Sequence, residues 1–410
     1  MNARNILRRS RPTSYPCTPS VSHTDNKENC DCEVEEVKLE PFESGEGVLS
    51  LLEASPQLIV DDDRLSSSPG EFGELCRLVK ESRLLQKKPA LLWGRAAIVL
   101  AAVALMSTAM IVGRNNVVLQ LCNGVLLAFV FMHVAFLMHD IGHRQIFRSS
   151  AANRAIGLLV SNLIIGVSYS WWVDKHNRHH RNPNHVDLDP DVDFAGLAFS
   201  KEQAMAKRWP WKLSVKYQAF LFVPLLLGEH LHLHLISAAH VLSGRAKAPW
   251  TEGLLLACHH IACFAIAFSV LRPLPAVALL VCGKALAGLY AGLVFAPNHK
   301  GMLMIDSGSD VSLFRRQVLT SRNVRSSPIN DFLYGGLNYQ IEHHLFPFLR
   351  QDQLPAAQAI VKPFCRERGI RYHETGIFQS LKEILQHLHE VGASVRVDGS
   401  RNLSSQGAES

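Results

Sequence analysis

The stretch WWVDKHNRHHRNPNH, from Trp171 to His185, places His176, His179 and His180 three and four residues apart. On a helix those spacings put imidazoles on one face, where they can converge on a single point. Neutral imidazole is the commonest metal ligand among side chains. Two other stretches follow the same rule: HDIGH with His139 and His143, and QIEHH with Gln340, His343 and His344. His299 in APNHKG completes a set of eight. One zinc takes four ligands, and this set is about twice that size; nitrogen ligands divided between two ions fit a redox-active di-iron centre. Asp140, Asp174, Asp187 and Glu342 lie beside the histidines, where carboxylates can orient ring nitrogens from behind.

Residues so far apart in sequence need elements that bring them together, and apolar runs supply these. The chain has 410 residues, 48% of them hydrophobic. Runs at about 94–112, 117–138, 253–271 and 275–296 are long enough to cross a bilayer. GRNN joins the first two and RPLP the last two, so the spans form two hairpins. Both turns carry little charge, whereas the segments on the histidine side are rich in Lys, Arg and His, which places the termini and every histidine group in the cytoplasm. The predicted fold is therefore all-α and integral to the membrane: four transmembrane helices in two hairpins, with a cytoplasmic helical cap holding a histidine-ligated di-iron site. Residues 71–86 read as a short amphipathic helix approaching the membrane. Segments 151–172 and 213–242 read as interfacial. His230, His232, His234 and His240 in the second of these share no helical face and read as interfacial polar residues. Lys284 falls near the middle of the last span, where a charge is costly, so it should face the protein interior. His133, inside the second span, reads as a packed core histidine.

The ends differ from this domain, which spans 71–392. Residues 1–70 carry Pro, Ser, Asp and Glu without a sustained period and read as a disordered tail, as do 393–410. The basic start lacks the apolar region of a cleaved secretory signal. Nine cysteines form no disulfide framework, since four lie inside apolar runs; Cys30 and Cys32 are the only tight pair. The net charge of +6 comes from basic residues flanking the spans, which indicates anionic lipid headgroups rather than nucleic acid.

In order and interleaved with two apolar hairpins, HxxxH, HxxHH and QxxHH resemble the membrane-bound fatty acyl desaturase family. The wording SYSWWVDKHNRHHRNPNHVDLDPDV, FAPNHKGM, QVLTSRNV and GGLNYQIEHHLFP resembles in particular the bacterial, largely actinobacterial, acyl-CoA branch often labelled linoleoyl-CoA desaturase-like. The resemblance implies two iron ions bound by His139, His143, His176, His179, His180, His299, His343 and His344. Gln340 stands where many relatives have histidine, and Asp140, Asp174 and Glu342 would orient ligands. It also implies an oxygen-dependent enzyme that inserts a cis double bond into the chain of an acyl-CoA or acyl-lipid, in a bacterial plasma membrane. Trp171, Trp172 and Phe194 are candidates to line the chain channel. Related front-end desaturases carry a fused haem domain with a His-Pro-Gly-Gly motif, which this sequence lacks along with any dinucleotide fingerprint. Electrons from NAD(P)H are then expected through a separate ferredoxin or flavin and iron–sulfur reductase, with Arg315, Arg316, Arg322 and Arg325 as a basic docking stretch. A hydroxylase or ketolase on the same scaffold, and a histidine-rich metal transporter, are the rival readings.

Overall fold

The computed structural model describes residues 70–82, 84, 90–147, 149–309 and 311–406, with only the backbone described at 90–93 and 397–406. The expected 1–70 tail, with Cys30 and Cys32, lies outside the described residues apart from Gly70. Short helix α1 (Glu71–Glu81) leads to two long apolar helices, α2 (Ala90–Val112) and α3 (Val117–Gly142). After α4 (Ser150–Leu158) the chain tightens into a π-helical stretch (Leu159–Ile165), then turns by 105° at Gly166 into α5 (Tyr169–Arg181). Helices α6 (Lys201–Ala206), α7 (Trp211–Lys216) and α8 (Gln218–Leu226) follow, and α9 (Glu229–Leu242) leaves α8 at a 71° bend. A second long pair, α10 (Pro249–Val270) and α11 (Pro273–His299), precedes the C-terminal part. That part comprises α12 (Leu313–Leu319), β1 (Asn323–Val324), α13 (Pro328–Leu333), α14 (Gln340–Leu345), α15 (Leu354–Glu367), β2 (Glu374–Thr375) and α16 (Ile377–Gln406).

The four long helices match the four runs read from sequence, and each has the length and hydropathy of a membrane span. Their outward faces carry large apolar side chains, with Leu100 68% and Ile261 67% exposed, an arrangement suited to lipid and costly in water. Polar residues inside the spans bond to neighbouring backbone. Gln120 Nε2 donates to Ala109 O at 2.9 Å and Gly113 O at 3.1 Å, and Asn123 Nδ2 donates to Met106 O at 3.1 Å. These bonds tie α2 to α3 where no water can serve. The two helical turns also meet, the Arg272 N–H donating to Arg114 O at 3.1 Å.

Helices α3 and α11 pack through small residues. A Cβ on Gly124 would lie 3.0 Å from Cys282 Cβ and 3.0 Å from the Gly283 nitrogen, and one on Gly283 would lie 2.5 Å from Leu127 Cδ2. Both helices run toward the histidine groups, so this close approach sets the spacing of the residues at their ends.

Above these ends sits a second core formed by Leu75 of α1, Phe314 of α12, Ile341 of α14 and Val361 of α15, with Leu349 between elements. The all-α expectation misses one small feature: β1 and β2 pair in parallel, Asn323 with Glu374 and Val324 with Thr375. The last helix also runs past residue 392, where the domain was expected to end. Val391 and Val395 are buried against Ala198, Ala204 and Val215, which gives that helix an apolar face to extend along. The basic stretch is corrected as well. Arg322 is fully buried, donating to Pro297 O at 2.6 Å, Lys300 O at 3.0 Å and Glu383 Oε2 at 2.6 Å, while Arg315 pairs with Glu71 at 3.0 Å. Four arginines close in sequence therefore do not form one exposed patch.

Substituting Gly124→Val should force α3 and α11 apart and lower stability by about 1–3 kcal/mol, the range for overpacking. Gly94→Ala, at a position with open space around it, should be neutral. Unfolding of the two variants in denaturing detergent compares them, and equal stability would show that the close approach is not needed.

Candidate metal centre

Each histidine pair reaches the centre by a local device. His139 and His143 lie at the end of α3, one on its last turns and one as its C-cap. Ser168 starts α5: its Oγ accepts from the Trp171 N–H at 3.3 Å and donates to buried Glu252 Oε2 at 2.6 Å, so the helix bearing His176, His179 and His180 is fixed to α10. His299 is the last residue of α11, and His343 and His344 sit on the short helix α14.

All eight rings come together. His139, His143, His176, His180 and His343 form one group, and His179, His299 and His344 a second, with the possible ligand atoms of each group within 4.8 Å of one another. In the first group Nε2 atoms face each other directly: His143 to His176 at 2.9 Å, His176 to His180 at 3.1 Å, His180 to His343 at 3.2 Å and His343 to His139 at 3.1 Å. In the second, His179 Nε2 lies 3.2 Å from His299 Nε2. Two nitrogens about 2.1 Å from one cation and at right angles to each other are about 3.0 Å apart, so the spacing fits a shared ion in each group. The groups adjoin, since the His180 and His344 rings stack at 4.3 Å.

The outer nitrogens show what orients the rings. His179 Nδ1 lies 3.0 Å from both oxygens of Asp189, His299 Nδ1 lies 3.0 Å from Thr320 O, and His344 Nδ1 lies 2.9 Å from Gln317 Oε1. His139 Nδ1 is 3.4 Å from Asp140 Oδ1, whose other oxygen accepts from Gln351 Nε2 at 3.0 Å. With Nδ1 engaged as a donor, Nε2 presents its lone pair inward, the arrangement typical of metal-bound histidine. His344 Nε2 is buried without a hydrogen-bond partner among the described residues. Burial pushes His343 and His344 well below the ordinary imidazole range, with neighbouring imidazoles adding to the effect, so both rings are neutral near pH 7 and free to bind a cation.

Gln340 joins the second group: its Nε2 lies 2.9 Å from His299 Nε2, and its Oε1 accepts from Asn298 at 3.0 Å. Asp140 touches a ring as expected, but Asp174 and Glu342 do not. Asp174 is exposed and pairs with Arg178 at 3.2 Å, because it projects from the outer face of α5. Glu342 points away from the rings and accepts from Asn323 and from Tyr372 OH, both at 2.7 Å, joining the loops behind α14; burial pushes its carboxyl up to about 7 despite those bonds. Asp187 is exposed and bonds to Ser307. Asp189 and Gln317 were missed because neither sits at helical spacing from the ring it holds. Trp172 stacks on His176 at 4.6 Å and so forms part of the wall of the centre, whereas Trp171 and Phe194 pack into neighbouring cores.

Residues 116–376 match the family described as fatty acid desaturase. The chain is 26% identical over 355 residues to an acyl-lipid (9-3)-desaturase of Physcomitrium patens, covering 84% of this chain and 65% of that protein. It is 30% identical over 295 residues to the Delta(6)-fatty-acid desaturase fat-3 of Caenorhabditis elegans, covering 65% of each. It is 29% identical over 289 residues to a Delta 8-(E)-sphingolipid desaturase of Kluyveromyces lactis, covering 66% of this chain and 50% of that one. The chain thus spans between about half and two thirds of the length of these relatives.

Removing a support from behind a ligand separates the residues that hold rings from those that only neighbour them. Gln317→Met keeps the side-chain length but deletes the acceptor for His344 Nδ1, and should weaken any metal binding at this group roughly 10- to 100-fold in chelator competition. Asp174→Asn should leave the affinity unchanged. The same affinity in both variants would remove Gln317 from this role.

Proposed function

Because this chain belongs to the fatty acid desaturase family, we propose that it inserts a double bond into a fatty acyl chain, using oxygen at a di-iron centre held by His139, His143, His176, His179, His180, His299, His343 and His344. The observation that carries this reading is the gathering of eight imidazoles into two adjoining groups at the ends of apolar helices, the second group buried and the first half-buried at His143, His176 and His180. The reaction removes two hydrogens from neighbouring methylenes and, with two further electrons and two protons, converts one O2 to two waters. Methylene hydrogens are not acidic, so no side chain can remove them as protons, and iron bound here would supply the oxidising power. The protein's own residues keep the rings neutral and aimed inward, and keep water from the centre by burying it between the helix ends and the cap. Gln340 serves the second group as a further ligand or as a donor beside it.

The substrate follows from the relatives' names. They describe acyl-lipid and sphingolipid desaturases, which supports a lipid-bound acyl chain ahead of acyl-CoA and the bacterial acyl-CoA branch. They also give the bond low position numbers, Delta(6) and Delta 8, which supports a new bond near the headgroup. We place the histidine groups and both termini in the cytoplasm, four spans in two hairpins beneath them, and the enzyme in a plasma membrane. Electrons come from NAD(P)H through a ferredoxin or a flavin and iron–sulfur reductase, a transfer that no residue of this centre performs. The gathering of eight imidazoles in two adjoining groups at one set of helix ends favours catalysis over metal transport.

Expression in a host of defined fatty acid content, with gas chromatography of the products, tests the reaction. The intact chain should yield a new unsaturated acid, and His343→Ala none, with membrane insertion preserved. A hydroxylated product would replace the desaturase reading with a hydroxylase, and iron uptake by sealed vesicles with no lipid product would point to transport. Single cysteines introduced at Asn115 and Gln203 should react with impermeant reagents from opposite sides, and labelling from one side would overturn the hairpin topology.

A further inference from the structure

A second gathering of histidines lies deeper, among α9, α10 and α11. His230 and His234, four residues apart on α9, turn inward, whereas His232 faces out and pairs with Glu229 at 3.3 Å. Of the four histidines expected to be scattered and interfacial, His230 and His234 instead share one buried face. His259 and His260 on α10 meet them, with the His234 ring 5.6 Å from His259 and 5.0 Å from His260. Phe131 of α3, whose ring is 5.3 Å from that of His230, lies eight residues before His139. The gathering is therefore offset from the iron centre by about 12 Å along that helix, at 1.5 Å per residue. His259 lies ten residues into α10, about 15 Å from its start, near the middle of a hydrocarbon layer about 30 Å thick.

We propose that His234, His259 and His260 form a second metal site, for a divalent transition ion of the zinc class, which clamps α9 to α10 inside the membrane. Three observations support it without drawing on the desaturase reading. One nitrogen from each ring lies within 4.8 Å of the other two. His259 Nδ1 is engaged with Leu163 O at 3.0 Å, so its Nε2 carries the lone pair and cannot donate to an anion. The Cys263 thiol, one turn along α10, lies 3.7 Å from that Nε2, beside the three-histidine group rather than within it. His234 is 6% exposed, and its Nε2 is buried with no hydrogen-bond partner among the described residues, an expensive arrangement at this depth.

Gly166 completes the pocket. Its φ of +85° suits glycine, and a Cβ there would lie 2.5 Å from His259 Nε2 and 2.8 Å from His234 Cε1. The bend after the π-helical stretch thereby closes over both rings. The remaining charged neighbour is Lys284, whose buried Nζ has no hydrogen-bond partner among the described residues and lies 5.8 Å from the centre of the Phe131 ring. A protonated lysine opposes a cation and would favour an anion, so this residue separates the two kinds of occupant.

The test is a titration of the iron-loaded full chain, in lipid nanodiscs, with cobalt(II) alone. One equivalent should bind and give the visible absorption of a cobalt(II) site with histidine nitrogen ligands. His259→Ala and His260→Gln should each abolish that absorption while keeping the iron content, which also reports that the variants fold. His179→Ala should lose iron yet retain the cobalt band, so failure of the iron reading and failure of this one give different results. Lys284→Met should tighten cobalt binding several-fold. The proposal is overturned if the iron-loaded chain takes up no cobalt, if both histidine variants bind it as the unaltered chain does, or if Lys284→Met weakens binding as an anion site requires.

Discussion

Ring nitrogens held 2.9–3.2 Å apart in buried surroundings impose the condition to which the structure answers. A neutral imidazole carries one N–H and one lone pair. Between His179 and His299, whose Nδ1 atoms are spent on Asp189 and Thr320, the Nε2 atoms that meet are lone pairs facing each other. Protein hydrogen bonds cannot resolve that arrangement, and burial denies water the chance. A cation between the nitrogens does resolve it. The outer nitrogens of His139, His179, His299 and His344 are held from behind, because a ring free to turn would relieve the crowding by swinging away.

Holding the rings explains features of the fold that otherwise look unrelated. Helix α11 ends at His299, and its final carbonyls would be left open at the membrane edge. Arg322 meets the carbonyls of Pro297 and Lys300 and carries its positive charge to the negative end of the helix. Glu383 of α16 balances that buried guanidinium, which would be strongly destabilising without its partner. The same arginine thus fixes the ligand-bearing end of α11 and secures the last helix to it. Asn184, in the left-handed region at φ 54°, does comparable work for the loop after α5: its side chain donates to His299 O at 3.0 Å and Leu303 O at 3.1 Å, and its N–H donates to Asp189 at 2.7 Å. Asp189 in turn holds His179, so a loop and two helices share one network.

The sequence disclosed the histidines that gather and the spans because both follow simple periods. His176, His179 and His180 sit at helical spacing, and long apolar runs are read by length alone. The supports were harder to read, since they are set by how loops return to the centre. Asp174 has the spacing of a ring support and faces solvent, whereas Asp189, in a proline-containing turn, holds a ring. Glu342 is next to His343 in sequence, yet α14 points it in the opposite direction, toward Asn323 and Tyr372. The four arginines after residue 314 look like one basic surface in one dimension, but the turn before β1 sends Arg322 inward.

Depth separates the polar residues within the apolar helices into two kinds. Gln120 and Asn123 find backbone carbonyls of the neighbouring helix, so their donors are satisfied by the fold itself and their role as interhelical ties is complete. His234 and Lys284 are also surrounded by apolar helices, yet each keeps a buried nitrogen without a hydrogen-bond partner among the described residues. Hydrocarbon offers no substitute for a missing bond. A polar group at this depth must therefore be matched by the protein, be matched by something the protein binds, or carry a standing cost in stability. Clustered imidazoles beside a glycine that lets the backbone close over them fit the second of these conditions. The same chemistry that gathers eight rings at the membrane surface thus recurs with three rings inside it, where its consequence is to join helices.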